Sequence, residues 1–406
     1  MRSFLFLQGV CSPFFSRLAD RLRADGHRVF KINFNAGDRL YWGGRPAWNY
    51  RGHVADLGDF LDDKYHQYAI TDQILFGDRR PVHRPAVKHA EACGVRTHVF
   101  EEGYFRPYWM TLERGGVNGH SSLPRDPAWF REVGARLPDY ADGQPFHSSF
   151  NIRAAHDVAY HTAGMVNPLL FPRYRTHAPM SAAVEYLGYA TRLPMLRFHR
   201  SRDDALVADL ARNSTPFYLL PLQLGSDAQI RDHSRFDDII GVMEFVMRSF
   251  ARHAPLEARL VIKNHPLDMG LANYPKVVRR LSERFALTGR VDYMETGDLD
   301  ALLRHARGSV TVNSTVGALS LGFDCPTIAL GEPIYDLPGL TFQGELDEFW
   351  RHAVRPDREL FRHFRNTVIH TTQINGGLYS RAGITLAIQN CRRFLEPQRS
   401  PLQALL

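Results

Sequence analysis

Two stretches of this chain alternate short apolar runs with amphipathic segments, and that alternation limits what it can fold into. In the later stretch PFYLLPLQL has strand length, DDIIGVMEFVMRSFARH has a helical apolar stripe, and ARLVIKNHP and YPKVVRRLSERFALTG repeat the pair. RVDYME, DLDALLRHARG, GSVTVNS, TVGALSLG and CPTIALGEP continue the pattern. The earlier stretch reads FLFLQG, SRLADRLRADG, RVFKINF, then ITDQILFGD, PAVKHAEACG and VRTHVFEEG, with Gly26 and Gly94 standing where helices stop. Parallel neighbouring strands need a crossover, so strand–helix–strand repetition means parallel sheets. A chain of 406 residues exceeds one ordinary core. The expectation is an α/β protein of two doubly wound domains with a cleft between them. The expected bounds are 1–202, with connecting helices from about 154 where MVNPLLFPRYRTHAPM breaks the alternation, and 203–365. A last segment, 366–406, is expected to pack back on the first domain.

The composition, 44% hydrophobic and 23% charged, is that of a soluble globular protein. A formal charge of +7 favours an anionic partner. The arginine runs RADGHR, RRPVHR and RFHRSR are short and scattered, which argues against nucleic acid. Cys11, Cys93, Cys325 and Cys391 form no CxxC pair and each lies in or beside an apolar run, so reduced, buried thiols are expected. The opening MRSFLFLQGVCSPFF has the basic residue and apolar block of a signal peptide. The block stops at Gln8-Gly9 and an amphipathic segment follows, so a first strand and its helix explain it better. No apolar run approaches the ~20 residues of a membrane span, and a cytoplasmic protein, at most peripheral to a membrane, is expected.

In open α/β sheets ligands bind beyond the carboxyl ends of the strands. The residues there are Gly9, Gly77-Asp78, Glu101-Glu102-Gly103, Gln223 to Asp227, Lys263-Asn264-His265-Pro266, Asn313-Ser314-Thr315 and Gly331-Glu332. Each has a plain reading: Glu101-Glu102 as a solvated loop, KNHP as a capped turn, Ser314 or Thr315 as a helix cap, Asp227 as a turn residue. Together they suggest more. A helix entered from a strand presents free N–H groups and a positive dipole end, and Lys263 and His265 one strand away would add charge-assisted hydrogen bonds to a phosphate. No GxxxxGK[ST] and no GxGxxG is present. Asp298-Leu299-Asp300 resembles a metal-holding acidic triplet, but it opens DLDALLRHA, where Asp298 reads as a helix cap. No side-chain set has metal-ligand spacing, so neither metal nor cofactor is expected. An acid at Asp227 would oppose a donor phosphate unless it acts at the reacting carbon. A carboxylate nucleophile with a second carboxylate for proton transfer is the pairing of retaining glycosyl chemistry.

FEEGYFRPYWMTLERGGVNGHS, LPLQLGSDAQI, LVIKNHPLDMGLANY, VTVNSTVGALSLGFDCPTIALGEPIYDLPGLT and TQINGGLYSR together resemble the bacterial capsule polysaccharide synthesis family, of the retaining β-Kdo transferase type. The resemblance runs from LQG near the start to about Arg381. It implies a GT-B fold of two Rossmann-like domains facing across a cleft, CMP-Kdo as donor and (lyso)phosphatidylglycerol as acceptor, starting the β-Kdo linker of a capsule. It further implies a place on the inner face of the inner membrane, against its anionic surface, and contact with a capsule synthesis and export complex. By motif, Asp227 matches the nucleophile and Glu101 the proton-transfer residue, with Glu102 orienting Glu101 or raising its pKa. Gln223, Lys263, Asn264, His265, Asn313, Ser314 and Thr315 match the donor side. Glu332, Tyr335 and Asp336 of GEPIYD would flank the nucleotide or the Kdo carboxylate, and Gly9 and Arg106 would meet an anion or the acceptor. Glycerophosphotransfer, sugar-nucleotide epimerisation and a non-catalytic adaptor of the export complex are the alternatives. MVNPLLFPRYR either touches the membrane or buries Leu169, Leu170 and Phe171 in the connector.

Overall fold

The computed structural model describes residues 1–176, 182–212, 215–224 and 234–406. They form two compact units. The first comprises Met1–Pro124, Leu137–His177 and Asn366–Leu406, the second Arg125–Arg136 and Ala178–Arg365.

The strands in chain order are β1 (Ser3–Phe6), β2 (Arg28–Asn33), β3 (Trp48–Asn49), β4 (Asp72–Phe76), β5 (Arg96–Glu102) and β6 (Trp109–Arg114). Then follow β7 (Phe217–Pro221), β8 (Arg259–Lys263), β9 (Val291–Met294), β10 (Gly308–Thr311), β11 (Thr327–Ala329) and β12 (Gln373–Asn375).

In the first unit the sheet order is β12-β6-β5-β4-β1-β2-β3. β1 to β5 run parallel, while β6 lies antiparallel to both β5 and β12. Successive side chains enter different cores, as a strand covered on both faces requires. Phe4 and Phe6 pack with Phe14, Leu18 and Phe394, whereas Leu5 and Leu7 pack with Leu57, Leu61 and Ala86. Residues after 365 complete this unit: β12 extends the sheet, and the helix Arg381–Leu395 buries Ile384, Ala387, Cys391 and Phe394 in its core.

In the second unit the order is β11-β10-β7-β8-β9, all parallel. Counted locally this is the Rossmann-like 3-2-1-4-5 order, with its switch point between β7 and β10. Leu220, Ile262 and Val310 face the core beneath the helix Ile239–His253, and Leu219 and Val261 face the opposite one. That helix is capped by Asp238, whose carboxylate accepts from the Gly241 N–H at 2.8 Å.

Two expected features need correction. The boundary near 202 does not hold, because the helix Ala182–Arg212 belongs with the second unit, where Val207 and Leu210 enter the core. Residues 125–136 also belong there: Phe130 meets Phe364 edge-on at 5.0 Å and Arg131 pairs with Asp357 at 2.6 Å. Among the thiols, Cys325 and Cys391 are buried, but Cys11 is half-buried and Cys93 exposed. Cys93 lies at the solvent-facing end of the helix His83–Ala92.

Candidate functional site

The carboxyl edge of the second sheet is built on amide and carboxylate contacts. Gln223, just past β7, and Asn313, just past β10, bond each other twice: Gln223 Nε2 donates to Asn313 Oδ1 at 2.8 Å, and the Asn313 N–H donates to Gln223 Oε1 at 3.2 Å. This pair sits at the switch point, where a nucleotide belongs in a sheet of this order. Ser314 caps the helix Thr315–Gly322 by accepting from the Val316 N–H at 3.2 Å. Tyr335 lies beneath that helix start. Its hydroxyl donates to the Ser314 carbonyl at 2.6 Å, and a Cβ on Gly317 would lie 2.1 Å from it. Tyr335 is buried and burial holds its hydroxyl neutral, so it supports the loop from below instead of flanking a ligand. Asp336 is likewise a brace, accepting from Thr341 Oγ1 at 2.6 Å and Gln343 Nε2 at 3.2 Å. Glu332 is exposed, beside an open depression of ≈ 480 Å³ also lined by Arg235, Gly331 and Glu345.

Lys263 ends β8 with its side chain almost wholly buried. Burial lowers its pKa, opposed by the charge of Asp203. Among the described residues its ammonium has no hydrogen-bonded partner, an arrangement that an anion would relieve. His265 follows at the loop. The Leu267 N–H donates to its Nδ1 at 3.0 Å, so the ring's hydrogen sits on Nε2 and faces away from that contact as a donor. Asn264 is turned inward, giving Nδ2 to Glu295 at 2.9 Å and accepting the His265 N–H at 2.8 Å.

One residue that holds this loop has no signal in the sequence. Arg192, on the helix Ala182–Arg212, donates to the carbonyls of His265 (3.3 Å), Pro266 (3.0 Å) and Asp268 (2.6 Å), and to Glu295 Oε2 at 2.8 Å. Burial favours the neutral acid at Glu295, but the bonds from Arg192 and Asn264 outweigh it and keep it ionised. A lone arginine in a long helix looks like any surface arginine.

In the first unit, Glu101 and Glu102 are the last two residues of β5 and not a loop after it, since β6 extends the pairing to Glu101–Thr111 and Glu102–Met110. A pleated strand sends neighbouring side chains to opposite faces. Glu101 lies over Gly77, where a Cβ would come 3.2 Å from Oε2. Glu102 lies on the other face, 3.5 Å from Arg153 Nη1 and 3.5 Å from the Tyr379 hydroxyl. The Arg153 guanidinium stacks 5.0 Å over the Tyr379 ring. Burial works against its charge, but Tyr379, Glu102 and Asp157 outweigh that and raise its pKa. The two carboxylates therefore diverge, and Glu102 orients Glu101 through its backbone N–H, which donates to Glu101 Oε1 at 3.0 Å, and not through its own carboxylate.

The first sheet also has its switch point, between β1 and β4. Gly9 stands there, its carbonyl accepting from Arg80 Nη1 at 2.8 Å, and a Cβ on it would meet the Phe15 ring at 2.8 Å. Arg106 is exposed, with Nε 3.5 Å from the Gly103 carbonyl. Asp227 lies outside the described residues. Asp298 is a helix cap, accepting from the Asp300 and Ala301 N–H groups at 2.9 and 3.2 Å. MVNPLLFPRYR divides: Met165 and Leu169 are exposed while Phe171 is buried.

Residues 71–379, most of both units, match the family described as capsule polysaccharide biosynthesis protein. The chain belongs to that family. Within it, the chain is 37% identical to the capsule polysaccharide export protein KpsS of Escherichia coli, over 93% of this chain and 97% of that protein. It is 37% identical to the capsule polysaccharide modification protein LipB of Neisseria meningitidis serogroup B, over 93% of this chain and 91% of that protein. Among solved structures it is similar to KpsC of Thermosulfurimonas dismutans, a β-Kdo 2,7 transferase, with 14% identity, TM-score 0.44 and coverage of 96% and 98%. Both sheet edges described above fall largely within the stretch that defines this capsule family. Gly9 lies before it.

Proposed function

We propose that this chain is a retaining glycosyltransferase of capsule assembly that moves Kdo from CMP-Kdo to (lyso)phosphatidylglycerol and so begins the β-Kdo linker. The observation that carries the reading is the edge of the second sheet. The buried Lys263 side chain, whose ammonium has no hydrogen-bonded partner among the described residues, a ring N–H at His265 Nε2 and the helix start at Ser314 stand on adjoining strand ends, around the Gln223–Asn313 pair. That set suits the phosphate of a nucleotide-activated sugar. CMP leaves as a weakly basic phosphate and needs its charge neutralised more than it needs a proton, and oriented donors of this kind often supply the largest catalytic contribution. The reading requires no metal.

In the proposed mechanism the Asp227 carboxylate attacks the anomeric carbon as the bond to the CMP phosphate oxygen breaks, leaving a glycosyl-enzyme ester. Glu101 then takes the proton of an acceptor hydroxyl, whose oxygen displaces the carboxylate. Two inversions give retention. Glu102, held by Arg153 and Tyr379, keeps the end of β5 in place. The acceptor places the enzyme at the anionic inner face of the inner membrane, in contact with capsule synthesis and export proteins.

Thermal denaturation with nucleotides tests the donor. CMP is expected to raise the melting temperature, with UDP and CDP-glycerol ineffective. A shift with UDP would favour an epimerase-like donor, one with CDP-glycerol a glycerophosphotransferase, and none with any nucleotide the adaptor.

A further inference from the structure

The helix Ala182–Arg212 has two faces with different tasks. Its inner face is pinned: Tyr189 donates to the Leu267 carbonyl at 3.0 Å, Arg192 clamps the loop from His265 to Asp268, and a Cβ on Gly188 would come 2.8 Å from the Met269 carbonyl. The outer face carries Val184, Leu187, Thr191, Met195 and Phe198, at steps of three and four residues that align them in one stripe. All five are exposed, Leu187 at 66%, Met195 at 56% and Phe198 at 82%. Large apolar side chains aligned on a firmly held helix and left in water mark a contact surface.

The charge on the same helix says which contact. Between Glu185 and Asp203 it carries no acid; Arg192 is turned inward and Arg202 pairs with Asp203 at 2.8 Å, which leaves Arg197 and Arg200, with His199, as the charge beside the stripe. Arg197 and Arg200 are exposed. A second copy of this chain packed on the stripe through a two-fold axis would set these arginines against themselves. An apolar stripe flanked by arginine is instead the pattern of a helix that lies in the headgroup layer of an anionic bilayer. The stripe spans roughly 21 Å at 1.5 Å per residue and includes Pro194, so the helix lies along the surface and does not cross it.

We infer that Val184, Leu187, Met195 and Phe198 seat the second unit on anionic lipid. The seat gives the lipid-acceptor reading its location and rests on that reading for its purpose alone. The test therefore uses vesicles with no sugar donor, and its failure would leave the transferase reading standing. The full chain is sedimented with vesicles containing phosphatidylglycerol and with vesicles of pure phosphatidylcholine. Wild type is expected to bind the former about tenfold or more tightly than the latter. L187S/M195S/F198S is expected to lose at least about tenfold of that binding, while R197Q/R200Q loses the preference for phosphatidylglycerol. The single variant F198S, at the most exposed position, serves if the triple variant fails to fold by circular dichroism, and its binding is expected to fall in the same direction. Wild-type protein that stays in solution, or stripe variants that bind like wild type, would overturn the inference. So would light scattering that shows a wild-type dimer turned monomer by the stripe variants with vesicle binding unchanged.

Discussion

Gln223 and Asn313 hold each other by two hydrogen bonds, and in doing so they tie the carboxyl ends of β7 and β10 together at the switch point of the second sheet. Replacing Gln223 removes both bonds, while replacing Asn313 removes the one to its Oδ1 and leaves the one from its backbone N–H. Gln223→Ala is expected to cost about 1–2 kcal/mol of unfolding free energy and to weaken nucleotide binding, read by denaturant titration and calorimetry. Because both changes remove the same Nε2–Oδ1 bond, Gln223→Ala with Asn313→Ala should cost less than the sum of the two single changes.

Arg192 should be a costly single loss in the second unit. Its removal frees three carbonyls of the loop that presents His265 and leaves Glu295 charged without its guanidinium. Arg192→Ala is expected to destabilise by about 3–5 kcal/mol. Lys keeps the charge but lacks the fork that reaches several acceptors at once, so Arg192→Lys should recover only part of the melting temperature.

Much of this framework was legible beforehand. The apolar runs of β7, β8 and β10 end abruptly in polar residues, and a parallel strand buried on both faces can end in no other way, so the positions of Lys263, Gln223 and Asn313 followed from the pattern. β6 was less legible, because WMTLER mixes apolar and charged residues and its role depends on a partner, β5, that precedes it by an intervening loop. Without β6, Glu101 and Glu102 read as a loop able to point anywhere. With it they are strand neighbours on opposite faces. Arg192 and Arg153 act through contacts remote in sequence, which no local pattern encodes.

Lys263 separates binding from stability. Its side chain is largely buried and its ammonium has no hydrogen-bonded partner among the described residues, so Lys263→Met removes a charge that burial disfavours. The variant is expected to melt at or above the wild-type temperature while its affinity for CMP falls about 10- to 100-fold, the range of a charge-assisted hydrogen bond. A fall in both would mean that the ammonium serves the fold.

At the far end of β4, Asp72 is fully buried and bonded by Arg2, by Arg96 at 2.9 Å and by His98 Nε2 at 2.8 Å. Burial alone would favour the neutral acid, but the bonds from His98, Arg2 and Arg96 outweigh it and depress the pKa well below the usual carboxylate value. A depressed folded-state pKa contributes stability that is fully present above the unfolded value, about 3.9, and is lost as pH falls below it. Asp72→Asn should therefore be markedly less stable than wild type at neutral pH, and the gap should narrow below about pH 4, as followed by urea denaturation across pH.

Glu101 and Glu102 lie on opposite faces of the strand and should respond differently. Glu101→Gln is expected to lower kcat by about 10²–10⁴, the range for a lost general base, with little change in melting temperature. Glu102→Gln loses a partly exposed ion pair, so at most about 1 kcal/mol of stability and a smaller share of kcat should go. The reverse ranking in a kinetic comparison would exchange their roles.

The most direct measurement is the mass of the lipid after the full chain is incubated with CMP-Kdo and lyso-phosphatidylglycerol, beside Asp227→Ala. The account predicts a lipid heavier by one Kdo, β-linked by proton NMR, from wild type and none from the variant. Unmodified lipid from folded wild-type protein that binds CMP would contradict it, and so would a product of inverted configuration.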